Sequence, residues 1–390
     1  MKRRVAIYTG NRSDYGLLHP VISAIAARPE LKYYLIVSGA HLKTQFGRTI
    51  SEIRGDGFLV YARAAVSTSG DSLPATARAV GKGILALVPI LDRLRPHFLL
   101  VHGDRFETLA AVIAGSQLGI PIAHIEGGDY TEGGALDDSV RHAITKLAHL
   151  HFTTNRQAAE RVRRLGEEPW RIHTVGLPSL DLIAAGSFAP PAEVFRRLSL
   201  SPSRPVLVFT QHSVATQFDR GRAQVRPSLA ALSDAVRAWD CQVVITYPND
   251  DAGGRRMLAE MRRFAADHPS AVRLIPSLGR HLYHGVLNVA AACVGNSSSG
   301  IKETPAFRCA CVNIGSRQQG RLRSSNILDV DYNREQIRKA VERCLHDRRF
   351  LARVRTCRNP YGQGQAGRCI AEVLASVPLE AGLVQKRMTF

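Results

Sequence analysis

Acidic, basic and hydroxyl side chains recur in this chain just after short apolar runs, where a parallel sheet would present them to a ligand. His102-Gly103-Asp104-Arg105 follows the run Phe98–Val101. Glycine lets the chain turn sharply there, and an acid beyond a strand end faces the ligand crevice of an open α/β sheet. Asp104 reads equally well as the N-cap of a helix starting at Phe106. His124-Ile125-Glu126-Gly127-Gly128-Asp129 follows the next run. A poorly solvated carboxylate at that point has a raised pKa, as a general acid or base requires, while an exposed turn acid is the plainer alternative. The stretch from Gly134 to Lys146 opens a helix that Asp137 or Asp138 can cap, with Asp137–Arg141 and Asp138–His142 spaced i,i+4. Alone it is a capped surface helix. Three acidic clusters in one half of the chain make a catalytic carboxylate group the stronger reading.

The second half carries different chemistry. Gln211-His212 ends an apolar run with an imidazole, which alone is more often structural. Tyr247-Pro248-Asn249 leads into Asp-Asp-Ala-Gly-Gly254, whose turn residues favour a plain loop. Gly295-Asn296-Ser297-Ser298-Ser299-Gly300 runs into a helical pattern with Glu303. Backbone N–H groups, a helix-end dipole and serine hydroxyls suit a diphosphate, and Glu303 could take a ribose diol. A serine-rich N-cap is the alternative, and the Walker spacing is absent. Arg12, in Gly10-Asn-Arg12-Ser-Asp14, and the later pair Arg317 and Arg321 add positive charge after further strands. No GxGxxG follows the first strand, which disfavours a dinucleotide cofactor.

The elements that must position these groups alternate. Strands are expected at Val5–Thr9, Tyr34–Ser38, Phe98–His102, Ile120–Ile125 and His151–Thr154, with helices at Leu17–Ala27, Leu73–Leu94 and Phe106–Leu118. A second series runs Val206–Thr210, Gln242–Tyr247, Val272–Ile275, Ala292–Val294 and Cys309–Ile314. Such alternation implies buried parallel sheets with helices on both faces. The Pro- and Ser-rich texture near Gly186–Pro205 reads as a linker. The expected organisation is therefore an N-terminal Rossmann-like domain over 1–185, a linker over 186–205, a second Rossmann-like domain over 206–365 and a C-terminal segment over 366–390.

Composition excludes several classes. With 390 residues, 45% apolar and 22% charged, the chain has the make-up of a globular protein of about two domains. No apolar run approaches the ~18 residues that span a bilayer, and the apolar stub after Met1-Lys-Arg-Arg is too short for a secretory core, so a cytoplasmic protein without a membrane partner is expected. The formal net charge of +19 comes from arginines scattered along the whole chain, with only eight lysines and no nucleic-acid-binding motif. A nucleic-acid partner is not expected. Seven cysteines, an odd number without a CxxC pair, argue against a disulfide framework and a zinc site. Cys309 and Cys311 would share one face of a strand as small buried hydrophobes.

Taken in order, NRSDYG, SGAHL, HGDRFETLA, HIEGGDYTEGGALDDSVRHAITKLAHLHF, TQH, YPNDDAG, GNSSSGIKE and NIGSRQQGR resemble the hydrolysing UDP-N-acetylglucosamine 2-epimerases of bacterial sialic-acid pathways and the epimerase half of the animal bifunctional enzyme. The resemblance runs from about Val5 to about Arg343. It implies a GT-B-like fold, two Rossmann-like doubly wound parallel-sheet domains facing a central cleft, in a homodimer or homotetramer, with a final helix crossing back to the N-terminal domain. It implies no cofactor and no metal. Nonhydrolysing relatives carry Pro-Glu-Glu where this chain has Leu136-Asp137-Asp138, and a Ser-Gly-Gly-type loop in place of Asn296-Ser-Ser-Ser299. Both differences favour the hydrolysing branch. The Thr-Glu-Gly-Gly insertion before Ala135 resembles relatives acting on 2,4-diamino sugars.

Carried over by position, the resemblance implies catalytic carboxylates at Asp104, Glu126 and Asp137 and a catalytic His212. Arg12, His41 and Arg105 would line the sugar and diphosphate pocket, and Asn249 would lie in the cleft. Ser297 and Ser298 would hold the diphosphate, Glu303 the ribose, and Arg317 and Arg321 the phosphates. The implied chemistry removes the carbon-2 proton as UDP departs from carbon 1, giving a 2-acetamidoglucal, to which water adds to yield N-acetylmannosamine. Glu126 or Asp104 is the expected base and Asp137 the water-handling acid, with His212 assisting the leaving group or orienting a carboxylate. The alternatives are the same chemistry on a UDP- or GDP-linked 2,4-diacetamido sugar, an epimerase that retains the nucleotide, and a glycosyltransferase.

Overall fold

The structure, a computed structural model, describes residues 2–42, 50–66, 73–130, 136–248 and 253–390. The chain divides into two units. Among the described residues the first takes in those between 2 and 181 and those from 361 to 390, and the second those between 182 and 360.

Strands β1 (Arg3–Thr9), β2 (Leu31–Ser38), β3 (Val60–Ala64), β4 (Phe98–His102), β5 (Ile122–Ile125), β6 (Leu150–Thr153) and β7 (Ile172–Thr174) form the first sheet. They lie in the order β3-β2-β1-β4-β5-β6-β7, every pair parallel. Alternate residues feed two cores: Val5, Ile7, Phe98 and Leu100 face one, and Ala6, Tyr8, Leu99 and Val101 the other. A sheet covered on both faces needs such unbroken apolar strands, which is why these runs are legible in sequence.

The second unit repeats the plan. Strands β8 (Val206–Thr210), β9 (Gln242–Thr246), β10 (Val272–Ile275), β11 (Ala292–Gly295), β12 (Ala310–Ile314) and β13 (Ile327–Val330) lie in the parallel order β10-β9-β8-β11-β12-β13. Strand order reverses between β1 and β4 in one sheet and between β8 and β11 in the other. At such a reversal the flanking loops part, leaving a crevice beyond the carboxyl ends.

Strands β3, β7 and β13 were not expected. All lie at sheet edges and are partly exposed, so no apolar run announces them. All seven cysteines are free, and Cys309 and Cys311 are buried.

Three expectations need correction. The segment 186–205 is not a bare linker: Pro191–Leu198 is a helix whose Val194 and Leu198, with Ala189 and Leu200, lie in the core of the second unit. Proline is well tolerated in a helix's first turn, so the Pro pair starts this element. Gly285 of the helix Gly279–Val289 receives it, since a Cβ there would stand 2.6 Å from the Ala189 carbonyl. The return to the first unit occurs at Tyr361, earlier than residue 366, because the buried Tyr361 accepts from Leu177 N–H at 2.7 Å through its carbonyl. The helix Leu73–Leu94 also contains a window, within Pro74–Leu94, long and apolar enough to cross a membrane by length and composition. Its Ala79, Leu87 and Leu91 are buried, and the last two join the core of the first unit.

The C-terminal segment is tied down by charge. The helix Ala366–Ser376 packs on the helix Arg12–Ala26, and Asp181 accepts from the N–H groups of Ala366 and Gly367 at 2.9 and 2.7 Å. Farther on, the wholly buried Arg171 donates to the carbonyls of Gly382, Leu383 and Gln385 at 2.8, 2.8 and 3.2 Å. Glu167, also wholly buried, meets Lys146 and Lys386 at 2.7 Å each and His151 at 3.0 Å. Burial alone would push Glu167 up, but these hydrogen bonds outweigh it and hold the carboxyl at about 2.

Because this folded value lies below the unfolded one near ~4.3, the stabilisation is complete above that pH and lost as pH falls through about 2. It amounts to about 3 kcal/mol. Denaturant unfolding should therefore find Glu167→Gln less stable than wild type at neutral pH, with the gap closing between about pH 4 and pH 2.

Candidate active site

In the first unit the candidate side chains sit where β1, β4 and β5 end. Gly103 turns the chain after β4 with φ +74°, and Asp104 then ion-pairs with Arg141 of the helix Leu136–Leu147. Asp104 does not cap the following helix. Arg105 holds that cap position without a side-chain cap bond, and its guanidinium meets Glu107 at 3.2 Å. Burial raises the Glu107 pKa against the opposing pull of Arg105.

Arg141 is 3% exposed and stands 3.6 Å from Asp138. Burial opposes its charge, but Asp104, Asp129 and Asp138 outweigh that and hold its pKa above the usual value. One guanidinium thus balances three acids. Of the two i,i+4 pairs expected on this helix, Asp138 acts on His142 and also meets Arg141 at i,i+3.

Glu126 ends β5 in the left-handed region, at φ +72°. A non-glycine residue pays a steric cost there, and such outliers cluster at functional sites. Its amide donates to the Phe152 carbonyl at 2.9 Å, and the next residues cannot vary freely, since a Cβ on Gly128 would stand 2.2 Å from the Ala158 carbonyl. The carboxylate is 9% exposed and lies 2.7 Å from His102 Nε2. His102 Nδ1 faces Asp14 Oδ1 at 3.7 Å. His124, wholly buried, has its pKa pushed down to about 3 by burial. As a neutral ring it donates from Nε2 to the Gly103 carbonyl at 2.8 Å, bracing the Asp104 turn, and pairs through Nδ1 with Thr145 at 3.2 Å.

The second unit holds a complementary set. His212 follows β8, Asn296 follows β11, and Arg317 and Gln318 follow β12. The Asn296 side chain accepts from His212 N–H at 2.7 Å and donates to its carbonyl at 2.9 Å. The Asn296 carbonyl accepts from Arg317 and Gln318 at 3.1 and 2.9 Å. Gly295 permits this approach: at φ +129°, a Cβ would stand 2.0 Å from the Thr210 carbonyl. Burial, with Arg317 nearby, pushes the His212 imidazole well below 6.5.

Ser297 caps the short helix Ser298–Lys302, its side chain accepting from Ser299 N–H at 3.4 Å. Glu303 accepts from Ser299 Oγ at 2.5 Å and faces His284 at 3.5 Å. Arg321 donates to Gln318 Oε1 at 2.5 Å, while His41 is wholly buried, paired with Thr9 at 3.0 Å. Arg12 and Asp137 each lie in the first turn of a helix, but their side chains fall outside the described residues, as does Asn249 altogether. Among the described residues no three His, Cys, Asp or Glu side chains are grouped as metal ligands.

The structure thus brings Asp104 and Glu126 to adjacent strand ends in one unit, and His212, Ser297, Arg317 and Arg321 around Asn296 in the other. His102, Arg141, Asn296 and Gln318 were missed as site residues. His102 and Asn296 stood inside motifs already singled out. Arg141 was read as a local helix partner, because its pairing with Asp104, 37 residues away, exists only after folding.

A proton NMR titration should find no protonation step of His212 near pH 6.5, since its neutral form persists well below that value. Asn296→Ala strands the His212 N–H and carbonyl and should cost about 1–3 kcal/mol in denaturant unfolding.

The model of the UDP-N-acetylglucosamine 2-epimerase family matches residues 23–375. A hydrolysing UDP-N,N'-diacetylbacillosamine 2-epimerase of Legionella pneumophila is 31% identical over 386 residues, 99% of either chain. A UDP-N-acetylglucosamine 2-epimerase of Neisseria meningitidis is 31% identical over 351 residues, 90% of this chain and 89% of that one. The crystal structure of a Neisseria meningitidis UDP-GlcNAc 2-epimerase bound to UDP-GlcNAc superposes with a TM-score of 0.82 at 16% identity, over 95% of this chain and 99% of that chain. It supports the GT-B-like fold class that the sequence suggested. With a family match across most of its length and the strand-end acids in place, the chain belongs to the UDP-N-acetylglucosamine 2-epimerase family.

Proposed function

We propose that this protein is a hydrolysing epimerase, eliminating UDP from UDP-N-acetylglucosamine to give a 2-acetamidoglucal and adding water to yield N-acetylmannosamine. One observation carries the reading: two acids, Asp104 and Glu126, stand at the ends of the paired strands β4 and β5, with Glu126 held there at a sterically costly φ of +72°. Loss of a carbon-bound proton needs a positioned base, and addition of water across the resulting double bond needs a second proton-transferring group. Glu126, shielded from water beside His102, is the base; Asp104, fixed by Arg141, and Asp137 serve the water step.

A departing diphosphate needs positive charge and donors. Arg317, Arg321 and the serines at 297 and 298 supply them, with Glu303 taking the ribose. His212, kept neutral, is suited to assist the leaving oxygen by donating a hydrogen bond to it. The same residues would serve a 2,4-diacetamido sugar nucleotide, and the full-length similarity to the Legionella pneumophila enzyme favours that as the second reading.

The purified protein should release free UDP with N-acetylmannosamine from UDP-N-acetylglucosamine, read by mass spectrometry beside a UDP-linked 2,4-diacetamido analogue. Accumulation of UDP-N-acetylmannosamine without free UDP would reject hydrolysis. Glu126→Gln and Asp104→Asn should each lower turnover about 10²-fold or more.

A further inference from the structure

Glu126 is not placed by its own backbone alone. Its carboxylate meets the His102 ring at 2.7 Å, and the other ring nitrogen faces Asp14 at 3.7 Å. All three side chains are less than a tenth exposed. They come from three separate elements: Asp14 from the first turn of the helix Arg12–Ala26, His102 from the end of β4 and Glu126 from the residue after β5. Strands β1 and β4 are paired at the sheet's topological reversal and β4 and β5 are neighbours, so the chain of contacts runs along the rim of the ligand crevice.

We propose that His102 is a positioning residue for Glu126, its ring standing against that carboxylate with Asp14 on its far side. This rests on the reading of Glu126 as the base. Two buried acids repel one another, and the ring of His102 stands between these two. The first turn of a helix favours the Asp14 charge, and Asn11 fixes that turn by accepting from Asp14 N–H at 3.1 Å. The ring therefore lies between a carboxylate in a fixed helical turn, 3.7 Å away, and one whose backbone is strained. Without the ring, the Glu126 carboxylate can swing within its pocket.

Other charges act on the same acids. Arg141 with Asp104, Asp129 and Asp138 lies on the β5 side, and Glu107 with Arg105 on the side of Asp14. His124 is neutral and bound to Gly103 and Thr145, so it does not take the place of His102 beside Glu126.

The test uses the full chain and whichever of the two UDP-sugars it turns over, with Glu126→Gln alongside. His102→Leu should lower kcat by about 10²-fold with KM changed less than about threefold, and move the acidic limb of the kcat profile to higher pH. His102→Gln, which keeps a polar group at the ring position, should recover about tenfold of that loss, and Asp14→Asn, which relieves the repulsion on Glu126, should move the same limb to lower pH. Independently of turnover, the His102 ring 15N resonances should move in both Glu126→Gln and Asp14→Asn. An unshifted pH limb, a loss carried by KM, or His102 resonances indifferent to either acid would overturn the proposal. Full turnover by Glu126→Gln would reject Glu126 as the base, whereas a dead Glu126→Gln beside a fully active His102→Leu would reject the His102 role alone.

Discussion

A carboxylate withdrawn from water must meet a counter-charge or a donor, or it takes up a proton or destabilises the fold. In this protein that constraint is concentrated at the carboxyl ends of β4 and β5. Arg141, 3% exposed, answers Asp104 and Asp138, and His102 stands against Glu126. Everything that positions the acids follows from the need to bring these partners to one edge of a sheet. The helix Leu136–Leu147 packs where it can deliver Arg141, and the turn at Gly103 is braced by His124 so that Asp104 points toward that guanidinium. Charge and strain are linked at this edge: Glu126 adopts a backbone conformation that costs energy, and it does so between Phe152, which binds its amide, and glycines that leave no alternative space.

The second unit solves a different problem with the same architecture. At the carboxyl ends of its central strands the polar groups are tied through one residue. Asn296 grips both backbone groups of His212 while its own carbonyl collects Arg317 and Gln318. Three loops that are far apart in sequence are thereby fastened to one residue. The price is a glycine at 295, because the two strand ends approach too closely for any side chain. The neutral state of His212 follows from the same packing, since burial and a neighbouring guanidinium both disfavour a second proton.

The chain's ends are held by equally specific charge pairing. Arg171 and Glu167 are wholly buried, and both are satisfied by groups from the last residues, so the segment after Ser376 is part of the first unit rather than an appendage. The cost of leaving either group unpaired explains why a stretch with few apolar residues nevertheless has a defined place.

Much of this was legible beforehand because it depends on local pattern. The central strands read as apolar runs, since both of their faces are covered, and the groups beyond their ends stood out as polar residues next to glycine. The edge strands β3, β7 and β13 did not, because a half-exposed strand needs no continuous apolar run. The helix at Pro191–Leu198 was hidden by prolines that, in its first turn, begin a helix as readily as they break one. Sequence alone thus determined the strand–helix alternation, the doubly wound class and the identity of the acids at Asp104 and Glu126. Only the tertiary structure decided what those acids touch. The pairing of Asp104 with Arg141, the ring of His102 between Asp14 and Glu126, and the grip of Asn296 on His212 all join residues from different elements, and partner choice across elements is set by packing and charge balance that no local spacing encodes.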